Sequence, residues 1–134
     1  MPKAEDPRLA RLTKICLSLP EATREYNGQH AGFQVRKCTF AYFLNDHHGD
    51  GIVAVTCKVI GGDHSRLAGS HADRFYIPPY LGPKGWVALR LDVGPIDWEE
   101  VAELVRGSYQ LVAPKRLADT VSAGVPERKR AKRV

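Results

Sequence analysis

The chain has 134 residues, 43% of them hydrophobic and 26% charged, with a formal net charge of +5. That is an ordinary balance for one domain built on one core. Its apolar runs are only a few residues long, far short of the ~20 that span a bilayer, and the polar start MPKAEDPR is unlike a signal peptide. A cytoplasmic protein with no membrane partner is expected. Cys16, Cys38 and Cys57 are odd in number, widely spaced and in no CxxC pair, which suits reduced thiols better than a disulfide framework or a zinc site.

The first element is a helix. Asp6 followed by Pro7 is an N-cap with proline at the first helical position, and Leu9, Leu12, Ile15, Cys16 and Leu19 recur at helical spacing until Pro20. Arg8, Arg11 and Lys14 fall on the opposite face. Between Glu21 and Val59 the period shortens. Phe33–Val35 and Thr39–Leu44 read as strands joined by a tight turn at Arg36-Lys37, and Ile52–Val59 as a third strand. The polar run Asn45–Gly51 reads as a hairpin loop, and Asp63 can cap a short helix through about Ser70.

The segment FYIPPYLGPKGWVALRLDV, Phe75–Val93, is the centre of the chain. Pro78, Pro79 and Pro83 fix φ and withhold backbone donors, while Gly82 and Gly85 supply turn freedom, so Ile77–Gly85 is predicted to be an ordered connection without ladder pairing. Trp86–Val93 then alternates. Val87, Leu89, Leu91 and Val93 share one face, the core side, and Trp86, Ala88, Arg90 and Asp92 the other.

Asp97 with Glu100 three residues on is a capping-box-like start to the last long helix, with Val101, Leu104, Val105, Ser108 and Val112 inward. Gly107 within it suggests close packing of backbone on the sheet. Pro114 ends the helix, and a further turn through Lys115, Arg116 and Leu117 follows. The domain is placed at 1–118 and a disordered basic tail at 119–134. Residues 1–113 hold 13 Lys and Arg against 13 Asp and Glu, so all the excess positive charge lies after Ala113 and culminates in Arg128, Lys129 and Arg130 of RKRAKRV. Helices and antiparallel strands in this order imply an α+β fold, with the helices packed on one face of the sheet.

Several of these pieces carry a resemblance: LSLPEAT after the first helix, Lys84-Gly85-Trp86 leading a valine-rich strand, and Ser108-Tyr109 followed by Leu111-Val112. Together, over roughly residues 6 to 118, they look like the MmcQ/YjbR family. The resemblance implies a frataxin-like (CyaY-like) fold and a DNA-binding role proposed for that family on structural grounds. Iron handling of the frataxin kind is not carried over, because the matching first helix exposes Arg8, Arg11 and Lys14 and would repel a cation.

No metal or cofactor site is expected. Asp46-x-His48-x-Asp50-Gly51 starts like a calcium loop, yet its twelfth position is Cys57 where a bidentate glutamate is needed, and His64 and His71 belong to no HExxH-like set. There is no nucleophile elbow, no phosphate-binding glycine loop and no acid pair with shared-site spacing, so the chain is not expected to be an enzyme. Ser108 and Tyr109 read as packing residues.

By elimination and local chemistry, weak DNA binding leads. Lys84, Trp86 and Arg90, extended by Arg66, Arg74 and Lys115, offer cations for phosphates and one ring for stacking, with Arg128, Lys129 and Arg130 adding long-range attraction. The alternative is a protein- or small-molecule-interaction module using the Pro/Gly/aromatic loop 75–86, with Phe75, Tyr76 and Tyr80 as an apolar rim. A continuous positive patch beside Trp86 favours the first and a groove of mixed charge the second. A monomer is expected.

Overall fold

The Asp6 carboxylate accepts the Arg8 backbone N–H at 2.8 Å and, with Pro7 at the first position, starts helix α1, Pro7–Leu17. This computed structural model describes residues 6–27, 30–45, 51–60, 63–78 and 82–124. Helix α1 stops before Leu19, because the residue preceding a proline is pushed out of the helical region. Leu9, Leu12 and Cys16 are its buried stripe.

Strand β1, Ala22–Asn27, pairs antiparallel with β2, His30–Val35, and was not evident from the sequence. As an edge strand it carries Thr23, Arg24 and Glu25 where a buried strand would show apolar alternation. Arg36 and Lys37, at φ 50° and 69°, make the two-residue turn into β3, Cys38–Asn45; positive φ at both positions gives the twist a hairpin needs. The β2–β3 register slips after Phe33, which faces Ala41 while Gln34 faces Thr39. Phe40 is the extra residue, and it is as fully buried as Ala41 beside it.

Strand β4, Val53–Lys58, leads to helix α2, Asp63–Ser70, the two-residue strand β5, Phe75–Tyr76, and a 3-10 turn at Gly82–Lys84. Gly85 has φ +88°, which lets its carbonyl accept the Val59 N–H at 2.9 Å as β6, Trp86–Arg90, begins. The sheet is antiparallel with order β1-β2-β3-β4-β6-β5. β6 ends at Arg90, earlier than the alternation to Val93 suggests.

Helix α3, Trp98–Val112, packs on β3 and β4, and α4, Lys115–Gly124, packs on α3. The Asp97 carboxylate accepts from the N–H groups of Glu99 and Glu100 at 3.1 and 3.3 Å. The expected reciprocal box is not made, since the Glu100 carboxylate turns to Arg74. Ser108 is wholly buried: its hydroxyl donates to the Phe40 carbonyl at 2.6 Å and accepts the Lys58 N–H at 3.0 Å, tying the β3 bulge and the end of β4 to α3. Tyr109 sets its ring edge-on to Phe40, centroids 5.3 Å apart, and donates its hydroxyl to the Pro20 carbonyl at 2.6 Å.

Two sequence expectations change in this region. Helix α4 continues to Gly124, past the expected boundary at 118, because Leu117, Ala118 and Val121 are buried at helical spacing. Gly107 does not pack its backbone against the sheet. A Cβ built there meets nothing within 4 Å, so the ~1 kcal/mol a helix gives up relative to alanine has no internal return.

The main core lies between the helices and one sheet face, from Phe33, Phe40 and Phe43 through Val55, Val87 and Leu89 to Val101, Val105 and Tyr109. The other face is also buried at its centre, where Ala54, Thr56 and Ala88 have no exposed surface and Trp86 only 7%.

Candidate functional site

Where β6 ends and α3 begins there is an open cleft of about 300 Å³. Its floor is apolar, with Leu89, Ile96 and Val101, and its rim is charged, with Asp73, Arg74, Arg90 and Glu100. The backbone fixes the two arginines relative to each other, since the Arg90 N–H donates to the Arg74 carbonyl at 2.7 Å.

Each guanidinium is clasped by a carboxylate. Arg74 reaches Glu100 through Nε at 3.0 Å and a terminal nitrogen at 2.9 Å, with Asp73 at 3.8 Å and the Phe75 ring centroid 5.5 Å away. Arg90 reaches Asp92 in the same two-pronged way at 3.0 and 3.2 Å. The hydrogen bond to Glu100 raises the Arg74 pKa. At Asp92, burial works against ionisation, but the bonds from Arg90 and from the Val53 N–H outweigh it and hold the carboxyl below its usual range. The rim is a set of fixed dipoles, not a positive patch.

Of the sequence-predicted binding residues that are described, the structure brings Arg74 and Arg90 together. Trp86 is not available for stacking: it is buried, and its ring packs against Tyr42, centroids 5.7 Å apart and tilted 43°. Lys84 is exposed at the end of the 3-10 turn, and Arg66 is exposed on α2. Lys115 pairs with Asp119 one helical turn on, at 2.9 Å. On α1, Arg8 pairs with Asp6 and Arg11 lies 5.2 Å from the Trp98 ring centroid. Arg128, Lys129 and Arg130 lie outside the described residues.

The apolar rim expected around loop 75–86 is only partly formed. Phe75 is core, Tyr76 is half-buried, Ile77 is 41% exposed, and Tyr80 lies outside the described residues. Alternation puts Asp92 on the Arg90 side, two residues on, so this balancing carboxylate was legible in the sequence; the partner sequence reasoning missed is Glu100. Arg74 and Glu100 are joined only by the fold.

Among the described residues no three His, Cys, Asp or Glu side chains converge to hold a metal ion. No described helix is long and apolar enough to cross a membrane. No curated protein matches the chain. Among solved structures, it is similar to the crystal structure of Deinococcus radiodurans protein DR2400, which has a DUF419 domain, with a TM-score of 0.66 and 24% identity over 89% of this chain and 92% of that one. The YjbR family model matches residues 17–111. That match takes in every strand of the sheet and most of α3, and the chain belongs to the YjbR family.

Proposed function

We propose that this domain is a binding module without a catalytic step, and that it recognises a short peptide segment of a partner protein at the cleft between β6 and α3. The observation that carries this reading is the rim of two clasped arginine–carboxylate pairs around the apolar floor. Fixed charges of both signs suit the N–H and C=O groups of an extended chain, and the floor suits one apolar side chain. A polyanion gains little there, since its phosphates would have to displace Glu100 and Asp92 first.

The experiment is selection of displayed peptides on the full chain, followed by affinity measurement on Ile96→Glu, whose fold is checked by circular dichroism. The expected outcome is a set of peptides that bind the native chain and lose at least about tenfold, ~1.4 kcal/mol, in the variant. Peptides indifferent to the variant would place recognition elsewhere. DNA binding is the second reading, favoured only by the composition of Arg128–Val134, and it would be of the non-specific, salt-sensitive kind.

A further inference from the structure

The cleft between β6 and α3 holds more negative charge than its arginines neutralise. Asp73, Asp97 and Glu100 line it beside Arg74 and Arg90. Arg90 is clasped by Asp92 and Arg74 by Glu100, so Asp73 and Asp97 are left in excess. The Asp73 side chain is 76% exposed, 3.8 Å from Arg74, and the Asp97 carboxylate is fixed at the start of α3 by the N–H groups of Glu99 and Glu100.

The end of the chain carries the opposite sign. Residues 125–134 lie outside the described residues, and they hold five Lys and Arg against one Glu, with Ala131 and Val134 set among the cations. Helix α4 packs on α3 and ends at Gly124. With 15 residues α3 is about 22 Å long, whereas ten residues of extended chain reach up to ~33 Å. The tail is therefore long enough to cross the whole of α3 to the cleft at its start.

We propose that this basic end, Arg128–Val134, docks in the cleft as an internal ligand that a partner peptide must displace. The inference rests on the reading of the cleft as a peptide site. Lysine and arginine side chains meet Asp73 and Asp97, and the small apolar residues between them suit the floor of Leu89, Ile96 and Val101. Tethering to α4 gives the segment an effective concentration on the order of millimolar, which the tail of a second copy lacks.

The test places a nitroxide on Lys132→Cys in the isotope-labelled full chain, with Cys38→Ser so that the buried Cys16 and Cys57 are the only other thiols. The amides of Asp73, Ile96, Asp97 and Glu100 should broaden at low salt, while Glu25 on the edge strand β1 should not. About 1 M salt, which screens charges beyond ~3 Å, should restore them, and so should Asp73→Lys, whose fold is checked by circular dichroism. Without the nitroxide, Arg128→Gln combined with Lys129→Gln and Arg130→Gln should tighten a selected peptide at least about threefold by emptying the cleft. Four results would each overturn the proposal: broadening that spares the cleft, that survives high salt or Asp73→Lys, or that is equally strong with nitroxide and isotope on different molecules, and a peptide affinity unchanged by the triple variant. Should the cleft amides stay sharp while peptides still depend on Ile96, only the tail is excluded and the peptide site stands. Broadening at the cleft with no peptide selected supports the tail as its occupant and overturns the partner reading.

Discussion

Arg74, in the turn before β5, and Glu100, in the first turn of α3, meet in a two-pronged ion pair that spans the mouth of the cleft. With Arg90–Asp92 beside it, the pair cancels the positive charge that a linear reading of the sequence assigns to this region. Glu100→Gln combined with Asp92→Asn removes the two carboxylate charges that clasp the guanidiniums. The expected outcome is a gain of about tenfold in duplex DNA affinity at low salt, with a steeper salt dependence. The stability cost should be modest, on the order of 1 kcal/mol, since both pairs are partly solvated. Unchanged DNA affinity in a folded double variant would show that these carboxylates are not what masks the arginines.

Ser108 joins three elements through one hydroxyl. Ser108→Ala deprives the Phe40 carbonyl and the Lys58 N–H of that partner in a dry environment, and should cost about 2 kcal/mol in urea unfolding. A loss of about 0.5 kcal/mol or less would mean that α3 holds the sheet by apolar packing alone.

Asp92 links acid stability to the cleft. Its folded pKa is lowered, so its contribution is full above the unfolded value near ~3.9 and is lost as pH falls through the lower folded value. Asp92→Asn should reduce stability at neutral pH by up to about 1 kcal/mol and flatten the decline below pH ~4. Parallel stability curves for the two proteins in acid would contradict the assignment.

The three cysteines should separate cleanly by reactivity. Burial pushes the Cys16 and Cys57 thiols up, and Cys16 is raised further by its neighbour Cys57, whereas Cys38 is exposed at the start of β3. Iodoacetamide at mildly alkaline pH should modify Cys38 alone in the folded chain and all three in denaturant, as read by intact mass. Rapid native modification of Cys57 would show that β4 opens far more readily than its burial implies.

The elements that punctuation and period define are legible from sequence: Asp6-Pro7 opens α1, Asp97 opens α3, and the turn at Arg36-Lys37 separates two strands that do pair. Strand β1 was hidden because an edge strand needs no apolar alternation, and β5 because two residues carry no period. The position of Trp86 is more instructive. Alternation places its ring on the face opposite Val87 and Leu89, which is correct, but does not say whether that face is dry. Its ring meets Tyr42, two strands away, diagonally to the row that Tyr42, Thr56 and Ala88 form in register, a relation among three strands that no local window contains. The Arg74–Glu100 pair was invisible for the same reason.

The most direct measurement of whether the cleft is a peptide site or a phosphate site is an amide chemical-shift titration of the isotope-labelled full chain. Selected peptide and duplex DNA are added separately at low salt, and the DNA arm is repeated after deletion of Arg128–Val134. Peptide should move the amides of Arg74, Arg90, Ile96 and Glu100 saturably, and DNA should leave them in place once Arg128–Val134 is removed. Saturable, salt-sensitive shifts at Arg74 and Arg90 with DNA in the shortened chain, and none with peptide, would contradict the binding-module reading.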